Sequence, residues 1–202
     1  MKLRSLLPRP YPFFKYTTDK LLALTALLAL APLLTAIAAA IRLSSPGPIF
    51  FRQQRLGLHQ KPFTIFKFRT MHTHSQPDIP LLASTDDPRI TPLGSFLRRY
   101  RLDELPQFFN VLIGDMSLVG PRPEQQFFAE LIAQHNPQYL LLFNLRPGIT
   151  SLGMIKFGYA STLPQMLRRL NYDLLYYHHR SLLLDAAILL LTLRTVLAGK
   201  GI

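Results

Sequence analysis

From Leu21 to Ile41 the chain reads LLALTALLALAPLLTAIAAAI, a run of 21 residues without a charge. Such a run is long enough by count to enter or cross a bilayer. No small-residue cleavage pattern follows it closely, so it does not read as a removed leader. Pro32 divides the run. It has no N–H for the carbonyl of Leu28, and its ring crowds that turn at a cost of about 3 kcal/mol in a regular helix. Two arrangements remain: a kinked spanning helix, which membranes tolerate, and a helix that turns back at the proline. The arm from Leu21 to Ala31 rises roughly 16 Å at about 1.5 Å per residue, near half of a hydrocarbon core of about 30 Å.

The flanks decide between them. Residues 1–20 carry five Lys/Arg and one acid, Asp19, and residues 42–77 carry six Lys/Arg and no acid. Orientation follows Lys/Arg bias, and neither side here is suited to translocation. A re-entrant hairpin leaves both flanks on the cytoplasmic side; a span does not. The whole chain, with 202 residues and a net charge of +12, favours anionic partners. Nucleic acid, anionic lipid and phosphorylated substrates all qualify, but the uncharged run serves no nucleic-acid binder. With no cysteine there is neither a disulfide framework nor a thiolate metal site.

After the turn chemistry of SSPGP (44–48), residues 49–71 read as two short strands around a loop centred on Gly57. A period of two places Phe63, Ile65, Lys67 and Arg69 on one face of the second strand. Two cations there make either a solvated edge or a pair of phosphate ligands. Thr91–Pro92 is a helix start, and the helix delivers Arg98 and Arg99. A second helix is expected near Asp103, with Asp103 as its N-cap. GDMSLVGPRPE (114–124) reads as a loop holding Arg122 between prolines, and RPGIT (146–150) as a tight turn. From Leu163 the chain is helical. Its last apolar segment, broken by Asp185 and Arg194, suits a helix lying on the interface or packed as core. The expected fold is mainly α with a short β-hairpin (α+β), a re-entrant membrane helix in residues 1–43, and a domain over 44–202 ending in an interfacial helix.

The stretch LDELPQ puts Asp103 beside Glu104, close after Arg98, Arg99 and Arg101. Alone, the pair reads as acids at a helix start. In series with SPGPIFFRQQRLG, FTIFKFRTM, DDPRIT, GDMSLVGPRPE and RPGIT, it makes the chain resemble the bacterial sugar transferase family, the monotopic polyprenyl-phosphate phosphoglycosyl transferases. The likeness runs from about Lys15 to Gly199. It implies transfer of a sugar 1-phosphate from a UDP-sugar to polyprenyl phosphate with release of UMP, a step that starts a surface polysaccharide or glycan. It also implies a re-entrant helix in the bacterial inner membrane with the catalytic domain on the cytoplasmic face. Asp103 is then the nucleophile, Glu104 a ligand for Mg²⁺, and Lys67, Arg69, Arg98 and Arg122 the substrate-binding cations. Chemistry is consistent with this, since carboxylates accept phosphoryl groups and Mg²⁺ takes one or two carboxylates plus phosphates.

The chain departs from the family's pattern at Ala31, where a serine is common, at Tyr16, where an arginine is common, and over SLGMIKFGYAS (151–161). The pairs His72/His74 and His178/His179 read as surface or packing residues. The rival reading is a non-enzymatic membrane module for anionic lipid or an assembly partner, and a further one is a glycosyltransferase releasing UDP.

Overall fold

The computed structural model describes residues 10–72, 87–199 and 201, with side chains from Phe13 onward. The described chain is mostly helical with two small sheets. Helices α1 (Pro10–Ala29) and α2 (Ala31–Ser44) hold the uncharged run and are bent by 62° at their junction. The break falls at Leu30, two residues before Pro32, because the proline occupies the first turn of α2, where an intrahelical donor is dispensable. Thr25 and Thr35 donate their hydroxyls to Leu21 O and Ala31 O, so neither presents an unmet polar group to an apolar medium. Among the described residues no single helix is long and apolar enough to cross a membrane, whereas the bent pair together has the length and composition.

Strands β1 (Phe50–Leu56) and β2 (Pro62–Phe68) form the expected antiparallel hairpin, with Phe51 opposite Lys67 and Leu56 opposite Pro62. Helix α3 (Pro92–Arg99) starts where the sequence places it: Thr91 Oγ1 accepts from Gly94 N at 2.9 Å.

The next expectation fails. Asp103 is not an N-cap. Arg101 adopts a left-handed conformation (φ 52°) that reverses the chain, and Leu102–Glu104 form a single 3₁₀ turn. Pro106 then has no N–H to continue the ladder, so α4 (Gln107–Ile113) begins only after it.

The loop and turn expected at 114–124 and 146–150 contain a second sheet. Strand β3 (Ser117–Val119) pairs in parallel with β4 (Gly148–Thr150). The approach there depends on glycine: a Cβ on Gly120 would lie 2.3 Å from Arg146 O. The remaining α-helices among the described residues are α5 (Gln126–His135), α6 (Leu152–Lys156), α7 (Leu163–His179) and α8 (Leu182–Leu197).

Three apolar clusters hold these elements. Phe63 and Ile65 of β2 meet Val111, Val119, Tyr176 and Ile188 in the central one. A second joins α5 and α7 through Phe128, Ile132, Met166 and Leu170. The third packs Ile37 and Ile41 of α2 on Phe68 and Leu97, so the far arm of the bent pair rests on β2 and α3. Helix α8 buries Ile188 and Asp185 while exposing Leu183, Leu190, Leu193 and Leu197, a core face backed by an apolar outer face.

Candidate active site

The hairpin, the reversed turn at Arg101 and the loop after β3 surround one cavity of about 740 Å³. Asp103 and Glu104 lie in its wall, only 7 % and 8 % exposed. Burial of two adjacent carboxylates is costly unless cations offset it. Lys67, carried in by the alternation of β2, donates from Nζ to Glu104 Oε1 at 2.7 Å. Arg101 Nε stands 3.8 Å from Glu104 Oε2, and Arg122 Nη1 stands 3.8 Å from Oε1. Arg98, in the last turn of α3, lines the same cavity and donates from Nε to Thr70 Oγ1 at 2.9 Å.

The two acids have different surroundings. Burial opposes ionisation of Glu104, but Lys67, Arg101 and Arg122 outweigh it and hold the carboxyl well below the usual carboxylate range. Burial pushes the Asp103 carboxyl up, and the neighbouring Glu104 adds to that, against the pull of Lys67, Arg98 and Arg101. Among the described residues Asp103 has no hydrogen-bond partner and no ion pair within 4.0 Å. One carboxylate is held and the other is left open toward the cavity. Neighbouring acids pushed apart in this way suit separate chemical tasks.

The structure brings Lys67, Arg98, Arg122, Asp103 and Glu104 to one cavity. Arg69 lines it too, but its guanidinium is turned to the end of α2, donating to Ser45 O and Ser45 Oγ at 2.7 Å and to Pro46 O at 3.0 Å. Arg99 is exposed and lies over the Tyr100 ring, 6.0 Å from its centroid. His178 and His179 are exposed, and His74 lies outside the described residues. Among the described residues no three His, Cys, Asp or Glu side chains form a cluster suited to a metal ion.

Sequence reasoning missed four contributors. Arg101 sits inside the motif stretch itself, but its left-handed turn has no sequence signal. Arg55 lies 3.6 Å from Glu124, and Arg169 also pairs with Glu124, so a buried ion network forms the far wall of the cavity. Tyr159 comes from the divergent segment, with the Arg122 guanidinium 5.8 Å from its ring centroid. For Arg55, the alternation of β1 was a usable signal.

Paired buried carboxylates beside several arginines, on a small α+β scaffold with a bent apolar helix pair, make a site whose charges suit anionic groups such as phosphates. The family model for bacterial sugar transferases matches residues 10–199, and the chain belongs to that family. It is similar to the UDP-N-acetylgalactosamine-undecaprenyl-phosphate N-acetylgalactosaminephosphotransferase of Aeromonas hydrophila, 42% identical over 99% of this chain and 48% of that protein. It is also similar to the UDP-glucose:undecaprenyl-phosphate glucose-1-phosphate transferase of Xanthomonas campestris pv. campestris, 46% identical over 92% of this chain and 39% of that protein. The chain therefore spans half or less of the length of these two relatives. The exopolysaccharide production protein PSS of Rhizobium leguminosarum bv. phaseoli is 38% identical over 93% of this chain and 97% of its own length.

Proposed function

We propose that this protein transfers a sugar 1-phosphate from a UDP-sugar to polyprenyl phosphate and releases UMP, acting at the cytoplasmic face of a bacterial inner membrane. The observation that carries the reading is the open Asp103 carboxylate beside the held Glu104. An Asp103 oxygen attacks the β-phosphorus of the UDP-sugar, the bond from that phosphorus to the bridging oxygen breaks, and UMP leaves with the electron pair. The phosphosugar then sits on Asp103 as an acyl phosphate. An oxygen of polyprenyl phosphate attacks the same phosphorus and frees the Asp103 carboxylate. Arg98, Arg101 and Arg122 offset the charge of the incoming diphosphate, and arginine forks suit phosphate oxygens. The names of the relatives support this reaction class. They specify more than one sugar, so the donor is a UDP-sugar without a narrower assignment.

Magnesium fits the donor set. Glu104 Oε2 stands 3.8 Å from Arg101 Nε, beyond hydrogen-bond distance, and Asp103 lies open. Among the described residues no three acids or histidines cluster to form an all-protein cage, which Mg²⁺ does not require when substrate phosphates complete its shell. Glu104, with Asp103 beside it, would hold the ion, which when bound neutralises charge on the diphosphate. A re-entrant placement of α1 and α2 is part of the same proposal. In a chain without cysteines, Thr17→Cys and Ser44→Cys should both resist an impermeant thiol reagent in intact cells, and labelling of either from outside would exclude the hairpin.

The deciding assay mixes purified protein with a panel of UDP-sugars before any lipid is added. UMP should appear in an amount limited by the enzyme, and polyprenyl phosphate should restore turnover. Asp103→Asn should abolish both, and Glu104→Gln should cripple them and alter the magnesium dependence. Release of UDP in place of UMP would identify a glycosyl transfer. A labelled adduct on the Asp103→Asn protein would move the nucleophile elsewhere, and a folded protein releasing no nucleotide would favour a lipid- or partner-binding module.

A further inference from the structure

A second cationic locus lies outside the cavity. Arg146, just before β4, sets its guanidinium over the ring of Tyr16, 4.1 Å from the centroid. Lys20, one turn further along α1, reaches the same place. The two converge on Gly114, the left-handed end of α4: a Cβ there would lie 3.7 Å from Lys20 Nζ and 3.8 Å from an Arg146 Nη. Both cations are half-buried, and among the described residues neither has a carboxylate within 4.0 Å. Neither lines the cavity that holds Asp103.

Two like charges that share a partly desolvated corner repel each other and have lost hydration. An anion between them removes both costs. The surroundings select which anion. Lys20 is the last charge before the uncharged run; Leu21, Leu22 and Leu24 follow it exposed on α1, and α4, which packs on α1, exposes Phe109 and Ile113. A soluble phosphate makes no use of that apolar rim. A phospholipid does, with its phosphate between the cations and its acyl chains along the leucines.

We propose that Lys20 and Arg146, converging over Gly114 with Tyr16 beneath the guanidinium, bind the phosphate of an anionic phospholipid at the point where α1 enters the membrane. Tyr16 fixes the plane of the guanidinium so that its fork faces outward. Gly114 keeps the corner open, since any side chain would fill it. The site rests on the membrane reading of residues 21–41 and is separate from the transfer chemistry.

The test uses the full chain in nanodiscs of phosphatidylcholine with a minor fraction of phosphatidylglycerol, and measures the lipid retained on the protein by native mass spectrometry. The wild-type chain should retain phosphatidylglycerol several-fold above its bulk share. Lys20→Gln and Arg146→Gln should return the ratio to bulk, Arg146→Lys should keep part of the excess, and Lys156→Gln, which removes an exposed charge in α6, should keep all of it. An inserted wild-type chain without enrichment overturns the site. An equal loss in Lys156→Gln overturns it as well, by showing an effect of net charge alone. Displacement of the lipid by millimolar inorganic phosphate overturns the lipid assignment. Failure to enter nanodiscs of pure phosphatidylcholine refutes the membrane reading itself, and the site with it.

Discussion

Gly94→Ala isolates the contact that aims Arg98. Helix α3 crosses the end of β2 so closely that a Cβ at position 94 would lie 2.1 Å from Thr70 O and 2.8 Å from Thr70 Cα. Ordinary contacts of a Cβ begin at 3.4 Å, so the helix must retreat by roughly 1 Å. Backbone atoms cannot swing aside as a side chain would. That retreat stretches the bond from Arg98 Nε to Thr70 Oγ1, now 2.9 Å, out of hydrogen-bond range. Overpacking costs about 1–3 kcal/mol, and the better helix propensity of alanine returns up to about 1 kcal/mol. The net loss of about 1 kcal/mol lowers Tm by about 2–4 °C in a chain of this size. The catalytic effect is larger: misplacement of a positioning group by about 1 Å costs on the order of 100-fold. Thermal melts and initial UMP release on the same preparation check both numbers. Arg98→Gln should reproduce the rate loss with little change in Tm. A Gly94→Ala protein with wild-type melting and wild-type UMP release would refute the argument.

Three further outcomes follow from the geometry. Arg101→Gly should relieve about 1 kcal/mol of left-handed strain yet lower UMP release, because the cation 3.8 Å from Glu104 goes with it; a loss of Tm alongside the rate would contradict this. Asp185→Asn leaves Lys15, now 2.7 Å from Asp185 Oδ2, with only Asp19 at 3.5 Å, and should destabilise the chain by about 2–4 kcal/mol in chemical denaturation. Burial pushes the Asp173 carboxyl up to about 6, so the folded state holds this proton more tightly than the unfolded one. The stability Asp173 contributes is present at low pH and lost as pH rises from about 4 to about 6; Asp173→Asn should flatten that slope, a difference on the order of 3 kcal/mol between the two ends.

The parts of the fold that were legible in the sequence are those with a period or a cap. The alternation of FTIFKF gave β2 and the side on which Lys67 emerges. Thr91–Pro92 gave the start of α3 and hence the reach of Arg98. The uncharged run with Pro32 gave the bent pair, although the break falls two residues early because proline is accepted inside the first turn of α2. Three-residue strands carry no period, so β3 and β4 passed for loops. The left-handed Arg101 was hidden because nothing in RYRLDELP demands a positive φ; tertiary packing imposes it, and it moves Asp103 from a helix cap to a 3₁₀ turn. The cations facing Glu104 come from β2, the turn at Arg101 and the loop after β3, and only the first lies where periodicity could place it. Tyr159 belongs to a segment with no pattern to read.

Arg69 shows how the cavity and the apolar helices are joined. It is two residues beyond Lys67 on the same chain segment, yet its guanidinium serves a different partner. Its donors meet Ser45 and Pro46 at the exit from α2, where the last carbonyls of a helix lack intrahelical partners. The segment from Lys67 to Arg69 therefore grips Glu104 at one end and the exit of α2 at the other. On the opposite flank, α1 is gripped by Lys15 to Asp185, and by Asp19, which accepts from Ser117 Oγ of β3 at 2.5 Å. Both arms of the bent pair are thus tied by buried polar contacts, α2 to the segment that carries Lys67 and α1 to α8 and to β3, which leads into the loop of Arg122. Under the proposed reaction this rigidity has a purpose. A polyprenyl phosphate keeps its chain in the bilayer and offers its phosphate at one depth, so the acyl phosphate must wait at that depth. Buried ion pairs give little net stability compared with well-packed apolar groups, but they resist sliding, because any shift leaves a charge unmatched. A depth fixed by such contacts tolerates loss of apolar area on α1 and α2 better than loss of Arg69. Arg69→Met should accordingly slow transfer to lipid far more than it slows the first release of UMP, and equal slowing of both steps would show that Arg69 acts on the nucleotide sugar instead.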